Sequence, residues 1–233
     1  LLEFASSANV CCGVHAGSFE LTQMTVKTCI ERKVRIGAHP GYPDRENMGR
    51  KTITPEQTRP YLDSIFDQIR RFTEIAEPAY LKPHGAFYND TAARLPTSWK
   101  PFERKLPTGE QLEPEGVFLG SVVGAGALSM LLRIHGLALM GMPGSAHELV
   151  AKRAGTPLLR EGFADRRYMA DGSLRPRSLP DSVLREPAEV RAQVLALAPE
   201  VETICLHGDT PGCLELAELV FGALKDAGYT VAS

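Results

Sequence analysis

An excess of charge of either sign is missing from this 233-residue chain: 26 lysines and arginines stand against 28 aspartates and glutamates, a formal net charge of -2. The basic residues are scattered, so no electrostatic footprint for nucleic acid or an anionic membrane surface exists, and neither is expected as a partner. Long apolar runs are missing too. The longest uncharged stretch, residues 116–132, is broken by glycines and falls short of a membrane span. A disulfide framework is excluded by the cysteine pattern: Cys11, Cys12, Cys29, Cys205 and Cys213 form an odd set without CxxC spacing. That suits reduced thiols in a cytoplasmic protein, with Cys11 and Cys12 packing as small apolar groups. No Walker A sequence is present, and Gly120, Gly124 and Gly126 lack the spacing of a dinucleotide fingerprint. Neither GxSxG nor a papain-like cysteine context supports a covalent mechanism. HxxxH and HExxH are also absent, so metal ligands, if used, must come from separate strands. The chain starts at Leu1 without a methionine, which leaves open whether a leader precedes it.

What is present begins with size. At 43% hydrophobic, residues 1–233 can bury one core, and a single domain is the simplest expectation. The organising stretch is residues 34–44, VRIGAHPGYPD. A short β-branched run stops at Gly37, and His39, Tyr42 and Asp44 follow among prolines and glycines, as when a buried strand delivers polar side chains from its end. The same design recurs at residues 7–17, 80–90, 158–168 and 203–212.

Strands are expected at residues 8–13, 34–37, 80–82, 117–123, 137–142, 158–160 and 201–206. Helices fill the intervals. Ser18 is a candidate N-cap, Thr54 with Pro55 and Gln57 gives a capping box, and Ser145 with Glu148 gives another, in a helix ending by Gly155. Pro60 should distort the second turn of its helix. A helix from residue 125 to 134 should follow the strand at 117–123, Pro187 opens another, and Thr210 with Pro211 starts the last. Between residues 91 and 115 the pattern fails, with Pro96, Pro101, Pro107 and Pro114 punctuating an irregular excursion. Strand and helix otherwise alternate, which predicts an α/β fold with a parallel sheet. A closed β/α barrel would gather chemistry at the carboxyl ends of its strands, and an open doubly wound sheet is the alternative.

Four histidines, His15, His39, His84 and His207, fall just beyond candidate strands and close to glycines. Alone, each could be a structural histidine. Together they suit a pocket doing acid-base work near neutral pH, or metal ligation. Asp44, Glu161, Asp165 and Asp209 are the carboxylates of the same clusters. Asp44 could equally be a turn residue, and Asp209 a favourable charge at a helix start. Lys82, at a strand end, could hold a phosphate or carboxylate, as could Arg166.

As a set, ANVCCGVHAG, IGAHPGYPD with MGRK, LKPHGAFYN, EGFADRRYMADGSLRPRS and ICLHGDTPG resemble, in this order, the signature blocks of the LamB/YcsF family, the A-type subunit of bacterial ATP-dependent 5-oxoprolinase. The resemblance spans most of the chain outside residues 91–115. It implies a seven-stranded β/α barrel of the glycoside hydrolase/deacetylase type. It also implies a role in hydrolysing 5-oxo-L-proline to L-glutamate with ATP and Mg²⁺, together with partner subunits B and C. His15, His39, His84, His207, Lys82 and Asp209 are then the expected catalytic residues. Tyr42, Asp44, Glu161, Asp165 and Arg166 would bind substrate or nucleotide. Family members usually begin with a strand carrying an acidic D-L-N-C-D-L-G-E block; this chain starts after its place, so the expected barrel is one strand short. The competing readings are a metal-dependent amide or carbohydrate deacetylase and a non-catalytic substrate-binding subunit.

Overall fold

The computed structural model describes residues 1–93, 119–170 and 172–232, which form two compact units: a larger one, Ser7–Leu159, and a smaller one, Leu1–Ser6 with Arg160–Ser233. Nearly all of the 91–115 excursion lies outside the described residues.

In the larger unit, β1 (Ser7–Cys11) pairs in parallel with β2 (Arg35–His39), β2 with β3 (Tyr80–Leu81), and β3 with β4 (Ala138–Gly141). The register aligns Cys11 with His39 and Ala38 with Leu81, so three strands end at one level. Such strands need crossover connections, and helices supply them. Helix α1 (Phe19–Glu31) joins β1 to β2, and Ser18 caps it by accepting from the Leu21 amide at 3.2 Å. Helix α2 (Pro55–Thr73) joins β2 to β3. Its capping box forms, with the Thr54 amide donating to Gln57 Oε1 at 3.0 Å. It runs unbroken through Pro60, because the buried stripe Leu62, Ile65, Ile69 and Phe72 holds it on the core.

The next segment corrects the sequence reading. Residue 119 begins a helix, α4 (Leu119–His135), where a strand was expected over 117–123, and a short helix, α3 (Gly85–Ala92), precedes it directly after β3. Leu128, Leu131 and Leu132 bury at helical spacing. An uninterrupted apolar run with glycines fits a buried helix as well as a strand, and its tertiary neighbours α2, α3 and α5 decide. Helix α5 (Ala146–Ala154) follows β4 and ends at Gly155, whose φ of 73° forms a left-handed cap.

Strand β5 (Leu158–Phe163), which belongs to the smaller unit from Arg160 on, pairs there in parallel with β6 (Thr203–Cys205), matching Glu161 to Thr203 and Phe163 to Cys205. Helices α6 (Pro187–Leu197) and α7 (Cys213–Asp226) cover them through Val190, Val194, Leu216 and Val220. Helix α7 starts later than Thr210 and Pro211 suggested, because Gly212 turns left-handed as its cap. Six strands are thus described, the number expected of a seven-stranded barrel without its first strand and one fewer than the strands read along the chain, all in an α/β arrangement. Among the described residues no helix is long and apolar enough to cross a membrane.

Candidate functional site

The carboxyl ends of β1, β2 and β3 bring three of the four predicted histidines of the chain together. His39 is the last residue of β2, His15 lies in the loop after β1, and His84 is the N-cap of α3 just after β3. The rings of His15 and His84 stack, with centroids 4.0 Å apart and planes 8° apart, while His39 stands edge-on to His84 at 4.8 Å. Nδ1 of His39 lies 2.8 Å from the Lys82 carbonyl, and Nε2 of His39 lies 2.9 Å from Nδ1 of His84. Nε2 of His84 lies 2.8 Å from the Met48 carbonyl. His15 is almost fully buried, and neither of its ring nitrogens has a hydrogen-bond partner.

Glycines make this convergence possible. A Cβ on Gly41 would lie 2.6 Å from Nδ1 of His15, and one on Gly85, itself at φ 56°, would lie 2.5 Å from the Gly49 carbonyl oxygen. Gln68 of α2 clamps the loop, accepting from the Gly41 amide at 3.1 Å and donating to its carbonyl at 2.8 Å. Arg45 ties the same loop to the β1 end through the Val14 and Gly17 carbonyls. Met48 adopts φ 53°, and its carbonyl accepts from His84.

Charge around the rings is positive. Burial first, then Arg50 and Arg45, push His15 down to about 4. Burial likewise pushes His39 well below the ordinary histidine value, with the charges of His84, Lys82 and His15 acting in the same direction. Lys82 is itself buried. Tyr42 is completely buried and donates to Asp90 Oδ2 at 3.1 Å, so its hydroxyl is committed to the core. Asp44 closes a turn, accepting from the Asn47 side chain at 2.8 Å, while its Oδ2 is buried without a hydrogen bond.

His207 belongs to the smaller unit, where its Nδ1 donates to Asp165 Oδ1 at 2.8 Å. Thr210 donates to Asp165 Oδ2 at 2.7 Å. Burial alone would raise the Asp165 carboxyl, but the hydrogen bonds and charge of His207 and the Thr210 hydroxyl outweigh it and hold it low. Glu161 and Arg166 are buried here too. Arg166 donates to the Ser182 carbonyl at 3.1 Å and the Arg175 carbonyl at 2.6 Å, so it ties down the segment after β5. Asp209 is exposed and lies ahead of the Gly212 cap, outside the first turn of α7 where a helix-start charge would act.

Sequence reasoning missed Gln68, Asp90 and His147. Gln68 interrupts the apolar stripe of α2, a signal that it has a buried partner. His147 is fully buried; its Nδ1 accepts from the Met142 amide at 3.2 Å and its Nε2 lies 3.0 Å from the Thr91 hydroxyl. It is a satisfied core histidine, pushed by burial down to about 3.

The model of the LamB/YcsF family matches residues 1–98 and 125–233. The chain belongs to that family. LamB/YcsF relatives include a protein named as the A-type subunit of 5-oxoprolinase from Chloroflexus aurantiacus, 35% identical over 99% of this chain and 88% of its own length. One of the same name from Methylococcus capsulatus is 32% identical over 100% of this chain and 87% of its own. A solved structure of a lactam utilization protein from Thermus thermophilus superposes with a TM-score of 0.72 at 26% identity, covering 99% of this chain and 90% of that one.

Proposed function

We propose that this component of 5-oxoprolinase takes part in the ATP-dependent hydrolysis of 5-oxo-L-proline to L-glutamate, and that it turns over only with partner subunits of types B and C. The observation that carries the reading is the meeting of His15, His39 and His84 beside the buried Lys82. A lactam amide is a poor electrophile. ATP, arriving with Mg²⁺, would supply a phosphoryl group that turns the amide oxygen into a leaving group. Its phosphates suit this charge distribution, because Lys82, Arg45 and Arg50 act together on the histidine rings.

The chain's own residues would divide the remaining work. Lys82 holds an anionic group, and the imidazoles accept and return the protons of hydrolysis. In the smaller unit Asp165 fixes the tautomer of His207, leaving Nε2 as the nitrogen that carries its lone pair. We read the parallel strands as part of a β/α barrel of the glycoside hydrolase/deacetylase type, acting in the cytoplasm, where thiols outside disulfides, such as those of Cys11 and Cys213, persist. The deacetylase reading gains nothing from the ring geometry. The facing nitrogens of His39 and His84 are engaged with each other, and no three His, Cys, Asp or Glu side chains among the described residues are grouped to hold a metal.

The test is a coupled assay for ADP and glutamate, with the full-length protein alone and then with candidate B and C subunits. Activity is expected only in the mixture, and Lys82→Ala or His84→Ala should abolish it while circular dichroism stays unchanged. Near-normal turnover by either variant would refute the reading.

A further inference from the structure

The contacts of His39 and His84 contain a proton count that the hydrolysis does not by itself require. Along the chain from the Lys82 carbonyl through His39 and His84 to the Met48 carbonyl there are three contacts, of 2.8, 2.9 and 2.8 Å. Each contact needs one hydrogen. Both ends are main-chain carbonyls, which only accept. Two neutral imidazoles carry one N–H each, so a doubly neutral pair would leave one contact with two lone pairs facing at hydrogen-bond distance. One further proton satisfies all three. We infer that His39 and His84 together carry three ring protons, forming a fixed positive charge at the site, and that proton acceptance falls to His15.

The surroundings say where the charge rests. Burial, His84, Lys82 and His15 all disfavour a charge on His39, so it stays neutral with hydrogen on Nδ1. His84 is then the imidazolium, donating from Nδ1 to His39 and from Nε2 to Met48. Its face lies against the neutral His15 ring at 4.0 Å, a stacked arrangement in which a planar cation is favoured over an aromatic face. Cys12 at the end of β1 approaches the His39 amide as a thiol that burial keeps protonated, so it adds no negative charge. Arg45 and Arg50 bear on His15 and keep its resting form neutral, the form in which one ring nitrogen has a lone pair to accept a proton.

The division of labour follows. The His39–His84 chain ends on groups that take no proton, so it cannot deliver one onward without breaking a contact. His15 has both nitrogens unengaged and is held neutral. The pair thus sets a fixed positive charge beside His15, and His15 exchanges protons with the substrate. The role of His15 rests on the proposed hydrolysis, whereas the protonation of the pair does not.

Nitrogen-15 NMR of the full chain labelled at histidine tests it. At pH 7.5, where an ordinary imidazole with a value of about 6.5 is mostly neutral, the His39 and His84 rings should show three protonated nitrogens, and His15 one. Two protonated nitrogens on the pair would overturn the inference. In the assembled enzyme His15→Gln should lower kcat by about 100-fold or more and leave the three-proton signature of the pair intact; unchanged kcat would overturn the role given to His15. A wild-type mixture without turnover would count against the proposed function alone, since the spectrum is read on the chain by itself.

Discussion

Adding one methyl group to Gly41 would place it 2.6 Å from Nδ1 of His15 and 3.2 Å from Cβ of His84. Backbone strain is not the issue, because Gly41 has no left-handed conformation to lose. The constraint is space: Gln68 grips both the amide and the carbonyl of Gly41, so the loop cannot retreat from the ring. Gly41→Ala should therefore rotate His15 out of its stack on His84. Misplacing a reacting group by about 1 Å costs on the order of 100-fold in rate, whereas overpacking costs about 1–3 kcal/mol of stability. Turnover of the assembled enzyme should fall by that factor while the thermal transition stays cooperative. A Gly41→Ala enzyme with native kcat would show that the ring's position is not what the glycine protects.

At the scale of elements, the caps were readable because they are local. Ser18, Thr54 with Gln57, and Gly155 act within a few residues of their positions, and each forms as its pattern predicts. The identity of α4 was not readable, since its apolar run acquires its helical form from α2, α3 and α5. The candidate site was partly readable for a related reason. Strand ends announce His15, His39 and His84, but the ring contacts depend on the Met48 carbonyl and the Gln68 clamp, which no motif encodes. The same local logic gives a paired prediction. Gly222 sits inside α7 with open space where a Cβ would go, and its φ is not positive. Gly222→Ala should stabilise the protein by about 0.5–1 kcal/mol. Gly155 also has open space, but its φ of 73° is left-handed, so Gly155→Ala should destabilise by about 1 kcal/mol. Urea midpoints of the two variants should move in opposite directions; a shift of the same sign would show that space rather than backbone conformation governs them.

Across the molecule, buried titratable groups couple folding to pH in a direction that can be worked out. His15, at about 4, and His147, at about 3, are held below the ordinary histidine value chiefly by burial, and His39 is lowered well below it too. Depressed imidazoles contribute stability that is full above about 6.5, their unfolded value, and lost as pH falls toward the folded values, because the unfolded chain binds the extra protons. Asp90 acts oppositely. Burial raises it to about 6 despite the Tyr42 hydrogen bond, so it favours the native state below about 4 and loses that contribution as pH rises toward 6. Near pH 5 the unfolded chain thus binds roughly two more protons at His15 and His147, with His39 acting in the same direction, and the native chain roughly one more at Asp90. The net difference of at least about one proton corresponds to a slope of at least about 1.4 kcal/mol per pH unit, with stability falling as the solution is acidified. Asp165, held low in the smaller unit, adds a loss of the same sign only at lower pH, as its carboxylate is protonated. Urea denaturation at pH 7, 6 and 5 should show a midpoint that drops most steeply between 6 and 5. In Asp90→Asn the opposing proton is gone, so the drop over that interval should be steeper than in the wild type, and an unchanged midpoint from pH 7 to 5 would mean that the buried imidazoles are protonated in the native protein.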